Sequence, residues 1–151
     1  MKLSRLWLVA GTLMITLSAC GAPATQKVQT SLNDLLAGNT SQKCTATYDK
    51  ANGQVNGTVY VMADKMHVDI TSTAQGKETQ SHIIILKKIA YLWLDGMTNG
   101  LEVPTAKLAA ATRSGAPDMS TKMSATCGAW PEDDSQFVLP STVTFREIPT
   151  R

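Results

Sequence analysis

Between Met66 and Thr71 the chain alternates without a break: Met66, Val68 and Ile70 are apolar, and His67, Asp69 and Thr71 between them are polar. Successive side chains of a strand point to opposite faces, so a period of two fits a strand covered on one side and spoils any helical stripe. The preceding residues repeat the signal. Val55, Val59 and Val61 share one face, Tyr60 and Met62 take the other, and Lys43 to Tyr48 is rich in β-formers. Asp49 to Gly53, Ala63-Asp64 and the polar stretch around Gly76 carry turn chemistry. Strands joined by such short connections pair as an antiparallel meander.

The pattern changes after residue 80. Ser81 to Leu86 and Ile89 to Leu94 are apolar at successive positions, with Lys87-Lys88 as the turn between them. Strands of that kind are covered on both faces or line an apolar cavity. Upstream, Val28, Leu32, Leu35 and Leu36 fall at helical spacing before Gly38, which predicts a short amphipathic helix over 28–38. A helix this short depends on packing its stripe against the sheet. A second short helix is expected over 104–113 and loop over 117–122; residues 124–130 then bring Cys127 back, and 141–147 reads as a last strand. The fold class is therefore α+β: a curved antiparallel sheet, an incomplete β-barrel, packed on one N-terminal helix and a short second helix.

The N-terminus has a different character. Lys2 and Arg5 flank the apolar run Leu6 to Leu17, which ends in Ser18-Ala19-Cys20. A basic flank, an apolar run too short to span a bilayer comfortably, and small residues before a cysteine make a lipoprotein signal. Residues 1–19 are expected to be removed and Cys20 to be lipidated, carrying acyl chains such as palmitate. Each buried methylene contributes about 0.8 kcal/mol, so two or three chains hold durably to a membrane. Residues 20–30, small and polar at first and containing Pro23, then read as a flexible tether, with one domain over 31–151. The expected location is extracytoplasmic, lipid-anchored to the cell membrane or outer membrane.

Processing also changes the charge and thiol counts. The chain has 14 basic and 12 acidic residues, but Lys2 and Arg5 belong to the signal, so the mature side chains sum to zero and no nucleic-acid partner is expected. Of three cysteines, acylation removes Cys20 and leaves Cys44 and Cys127. In an oxidising compartment that pair predicts a disulfide, with two free buried thiols as the alternative.

No catalytic constellation stands out, and no cofactor is expected. The only histidines, His67 and His82, come near each other and Asp69 if their strands are neighbours. They lack the His-x-x-x-His spacing of a metal helix, so they read as surface or satisfied residues and no metal is expected. There is no Gly-x-Ser-x-Gly elbow, and Glu132-Asp133-Asp134 lacks the spaced ligands of a calcium loop. The methionines Met62, Met66, Met97, Met119 and Met123 suit core or cavity lining better than a copper site.

Lys43 to Tyr48, Gly57-Thr58-Val59-Tyr60-Val61, Met66 to Ile70, Ser81-His82-Ile83-Ile84, Leu94-Asp95-Gly96-Met97 and Cys127-Gly128-Ala129-Trp130 together resemble a family of short bacterial lipoproteins without established activity. The likeness covers most of residues 31–147. Their organisation resembles the half-barrel of the lipoprotein-carrier superfamily (LolA, LolB and LppX-like), in which a curved sheet wraps helices around an apolar cavity. The resemblance implies a lipid or acyl-chain ligand. With the doubly apolar strands, it makes Ile83, Ile85, Tyr91, Trp93 and Met97 the candidate ligand-binding residues of a monomeric, non-enzymatic module. The alternative is an envelope structural or interaction lipoprotein with a closed core and a protein partner.

Overall fold

The computed structural model describes residues 25–50, 53–108 and 118–148. The signal peptide, Cys20 and the start of the tether lie outside the described residues, as does the latter part of the helix expected over 104–113. A first strand, β1 (Gln26–Thr30), leads into helix α1 (Leu32–Ala37). A six-stranded antiparallel meander follows: β2 (Gln42–Lys50), β3 (Gly53–Met62), β4 (Lys65–Ala74), β5 (Lys77–Leu86), β6 (Ile89–Leu94) and β7 (Asn99–Pro104). With β8 (Met123–Ala129) and β9 (Thr144–Glu147) these make one nine-stranded sheet of order β1-β8-β2-β3-β4-β5-β6-β7-β9. Every pair is antiparallel except β7 with β9. Strands β1 and β9 remain edges, so the sheet is open rather than a closed barrel.

Two expectations need correcting at the N-terminal side. Residues 26–30 are a strand on the edge of β8, not tether, with Val28 opposite Ala125. The helix begins only at Leu32. Ser31 is the reason: its backbone is extended, its hydroxyl accepts from the Asp34 amide, and the Asp34 carboxylate accepts from the Ser31 amide. This reciprocal cap satisfies two orphan donors and forces the preceding residues out of helical geometry. Extended residues beside the open edge of β8 then gain backbone pairing. The 118–122 segment docks the helix, since the Asn33 amide donates to the Met119 carbonyl and Lys122 pairs with Asp34.

The parallel β7–β9 pair reveals how the chain is wound. The meander leaves β2 and β7 on opposite sides, so the chain must cross the sheet once to bring β8 beside β2 and again to bring β9 beside β7. The first crossing runs through the 3-10 turn Thr105–Lys107 and buries Leu108 and Met119 in the core cluster with Leu32 and Leu35 of α1. We call this the inner face. It also holds Val59, Val61, Met66, Val68, Ile83, Ile85, Ala90 and Val103. The second crossing carries Trp130 and the 3-10 turn Asp134–Phe137 over β4 and β5 on the other, outer face. There Trp130 lies 5.4 Å from the Tyr60 ring, and Phe137 sits beneath the Lys65 ammonium. The sheet is thus covered on both sides, which explains the doubly apolar β5: Ile83 and Ile85 face inward and Ile84 outward, all at most 2% exposed.

Cys44 of β2 and Cys127 of β8 are directly opposite in register, with Cα atoms 4.1 Å apart, and form a disulfide. Both are buried in the inner core. Among the described residues no helix is long and apolar enough to cross a membrane.

Candidate functional site

The five candidate ligand-binding residues do not converge. Ile83 and Ile85 are buried in the inner core. Tyr91 pairs with Ile84 and Trp93 with His82, so both aromatic rings belong to the outer face. Met97 stands in the β6–β7 turn, 51% exposed. Hairpin register decides this: a shift of one residue exchanges the faces, and when both faces are apolar the sequence pattern holds no information about which is which.

The inner face instead presents a cleft between α1, β2, β3, β4 and the 118–123 segment. It has a volume of about 80 Å³ and is lined mainly by Leu32, Ala46, Val55, Val59, Val68 and Ile70. Cross-strand pairing continues this apolar lining sideways. Ile70 lies opposite Ser81, which lies opposite Leu94; Val68 lies opposite Ile83, which lies opposite Leu92 and then Leu101. Leu94 and Leu101 are each 42% exposed, so the same face carries exposed apolar side chains on the β6–β7 side, beyond Ser81 and the buried Ile83. Pockets that enclose a drug-sized ligand are typically about 300–1,000 Å³, so this cleft is sized for a chain end of a few methylenes.

On the outer face the fold builds a second constellation. His67 and Asp69 are two apart on β4 and share a face, and His82 of β5 is directly opposite Asp69. His82 Nδ1 is 2.7 Å from Asp69 Oδ1, a good hydrogen bond when that nitrogen carries the proton. His67 Nε2 is 3.1 Å from the same oxygen, but off the direction a hydrogen bond needs, and neither buried ring nitrogen of His67 has a partner among the described residues. This corrects the expectation of surface or satisfied histidines: His82 is satisfied, whereas His67 is not. A buried polar atom left unpaired costs about 1–3 kcal/mol.

The Asp69 carboxyl is held below the usual carboxylate range, by His67 first and by His82 as well, against a desolvation that pushes it up. Aromatic rings flank the trio. His82 stacks on Trp93 with centroids 5.0 Å apart, and Trp93 meets Phe145 of β9 edge-on at 5.8 Å. On the other side Tyr60 lies 5.9 Å from His67 and contacts Trp130. Phe145 of the edge strand β9 and the Trp130–Phe137 segment therefore frame the trio from opposite ends. The sequence signal for it was the alternation itself, which put His67 and Asp69 on one face; the partner on β5 needed the register.

Comparisons with protein-family models, with curated proteins and with solved structures yield no match.

Proposed function

We infer that this chain is a lipid-anchored extracytoplasmic binding module, similar in organisation to the lipoprotein carriers, whose inner face takes the apolar end of a lipid or acyl chain without covalent chemistry. The observation that carries the reading is the apolar cleft lined by Leu32, Val59, Val68 and Ile70, with Leu92, Leu94 and Leu101 partly exposed on the same face beyond it. A chain end placed there would gain about 0.8 kcal/mol for each methylene removed from water. The cleft alone gives modest affinity, and the apolar strip beside it supplies further contact. The anchor at Cys20 keeps the module at its ligand source, because a membrane-bound protein meets lipid at high local concentration.

Three experiments test this. Solvent extraction and mass spectrometry of the protein purified from membranes should release a stoichiometric lipid beyond the covalent anchor. Uptake of a fluorescent fatty acid should fall at least fivefold in Ala46→Leu, which fills the cleft from β2. No extractable lipid, together with no uptake by the unaltered protein, would refute the reading. Labelled palmitate should enter the unaltered chain and not Cys20→Ser.

The small volume of the cleft favours a second reading, an envelope interaction lipoprotein with an essentially closed core and a protein partner. In that case Ala46→Leu stabilises the protein and changes no ligand uptake.

A further inference from the structure

We propose that His67, Asp69 and His82 bind one divalent transition-metal ion on the outer face of the sheet, with zinc the ion that suits them. The site is independent of the inner cleft, which lies on the opposite side of the same strands.

The donor set has the right size. Asp69 Oδ1 stands 3.1 Å from His67 Nε2 and 2.7 Å from His82 Nδ1, and the three donor atoms lie within 4.8 Å of one another. Around a tetrahedral zinc with bonds of about 2.0–2.1 Å, neighbouring donors stand about 3.3 Å apart. Two edges of that figure are already within about 0.6 Å, and the third has at most about 1.5 Å to close, a distance that modest rotation of two side chains covers.

The donors are also held as a metal site requires. β4 and β5 are the fifth and sixth strands of nine, each paired on both sides, so the donors stand on strands rather than on a loop. Trp93 stacks on His82 and restricts that ring. His67 is the residue that asks for a ligand: its side chain is 14% exposed, and its ring nitrogens have no hydrogen-bond partner among the described residues. An ion at Nε2 supplies a partner for one of the two, and the 40% exposure of Asp69 gives it a path in from solvent.

Chemistry selects among metals. Two imidazoles and a carboxylate are borderline ligands. Calcium and magnesium want six or more oxygens. Copper(I) wants thiolates or thioethers, and the disulfide takes Cys44 and Cys127 out of the ligand pool. Three protein donors leave one position of a tetrahedral zinc for water or another exchangeable ligand.

The competing account is a hydrogen-bonded trio that merely stiffens the sheet, in which case zinc does nothing. The chain has only two histidines, so their ring carbon–proton signals in an NMR spectrum report the site directly. The full chain, with its disulfide intact and freed of metal by a chelator, is titrated with zinc chloride. Both histidine signals should shift and saturate at one zinc per chain, and the unfolding midpoint should rise with zinc. Calorimetry should show at least a tenfold loss of affinity in Asp69→Asn and in His82→Gln, each checked by its metal-free melting curve to be folded. Cobalt(II) added in place of zinc should produce visible absorption bands that neither variant gives. If the two histidine signals stay in place through the titration, or if zinc binds equally to both folded variants, the proposal is overturned.

Discussion

Replacing Cys44 and Cys127 together with alanine tests how the nine strands are held. The bridge closes a loop with a sequence separation of 83 residues, for which the chain-entropy relation gives about 4.5 kcal/mol at 25 °C. In the folded state the bridge is redundant. β2 and β8 are already paired from Gln42 opposite Ala129 to Thr47 opposite Ser124, and β1 pairs along the other side of β8. Its effect should therefore act through the unfolded chain, which becomes larger and more exposed once the loop is opened. Against a typical total of about 5–15 kcal/mol, the loss is a third of the stability or more. Guanidinium unfolding followed by the fluorescence of Trp93 and Trp130 should show the midpoint falling by about 1 M at a slope of about 4 kcal/mol/M, with the slope itself rising. Reducing the unaltered protein should reproduce the shift. A midpoint within 0.2 M of the parent with an unchanged slope would refute the loop-closure argument.

Three further outcomes are expected. Gly100→Ala sets a methyl 2.6 Å from the Phe145 ring carbons and 2.9 Å from the Leu92 carbonyl, and overpacking of that kind costs about 1–3 kcal/mol; near-ultraviolet circular dichroism should change with it, since Phe145 touches Tyr91 and Trp93. The turn residues Lys87 and Lys88 both have positive φ, so Lys87→Asn with Lys88→Gly should stabilise the chain by about 1–2 kcal/mol in thermal or denaturant unfolding. Lys122, and then Ser31, hold the Asp34 carboxyl down to about 2 from an ordinary 3.8. A depressed carboxyl contributes stability that is present above its ordinary value and lost as pH falls through its folded one. The α1 cap should therefore persist at pH 4 and fail toward pH 2, read as the NMR titration of Asp34, with Lys122→Met moving the midpoint upward.

Much of the sheet was legible because its strands carry their own phase. Met66 to Thr71 alternates, and each of Ala63-Asp64, Gln75-Gly76 and Lys87-Lys88 sits at the turn the pattern required. The α1 stripe was legible too, but its start was misplaced, because Val28 satisfies helical spacing and β-pairing equally well. What separates them is the reciprocal cap at Ser31 and the open edge of β8, which lies about a hundred residues downstream. Tyr91 and Trp93 were grouped with Ile83 and Ile85 for a related reason: apolar residues at every position carry no phase, so only the β5–β6 register assigns them to faces.

The α+β class, the meander and the sharing of one face by His67 and Asp69 are written in the chain itself, and Cys44 with Cys127 is the disulfide it leads one to expect. Those follow from local period, turn chemistry and the count of thiols. The folded sheet alone reveals that the chain crosses it twice, once on each face, and that β9 returns parallel to β7. Such crossings depend on which buried surfaces are left to cover after the meander forms, a property of the assembled sheet. His67 acquires its character from them: the same alternation that points it away from the core would leave it in water, but Trp130 and Phe137 close over that end of the face, beside Tyr60 and Lys65. A histidine that reads as a surface or satisfied residue thereby becomes a buried imidazole without a hydrogen-bond partner among the described residues.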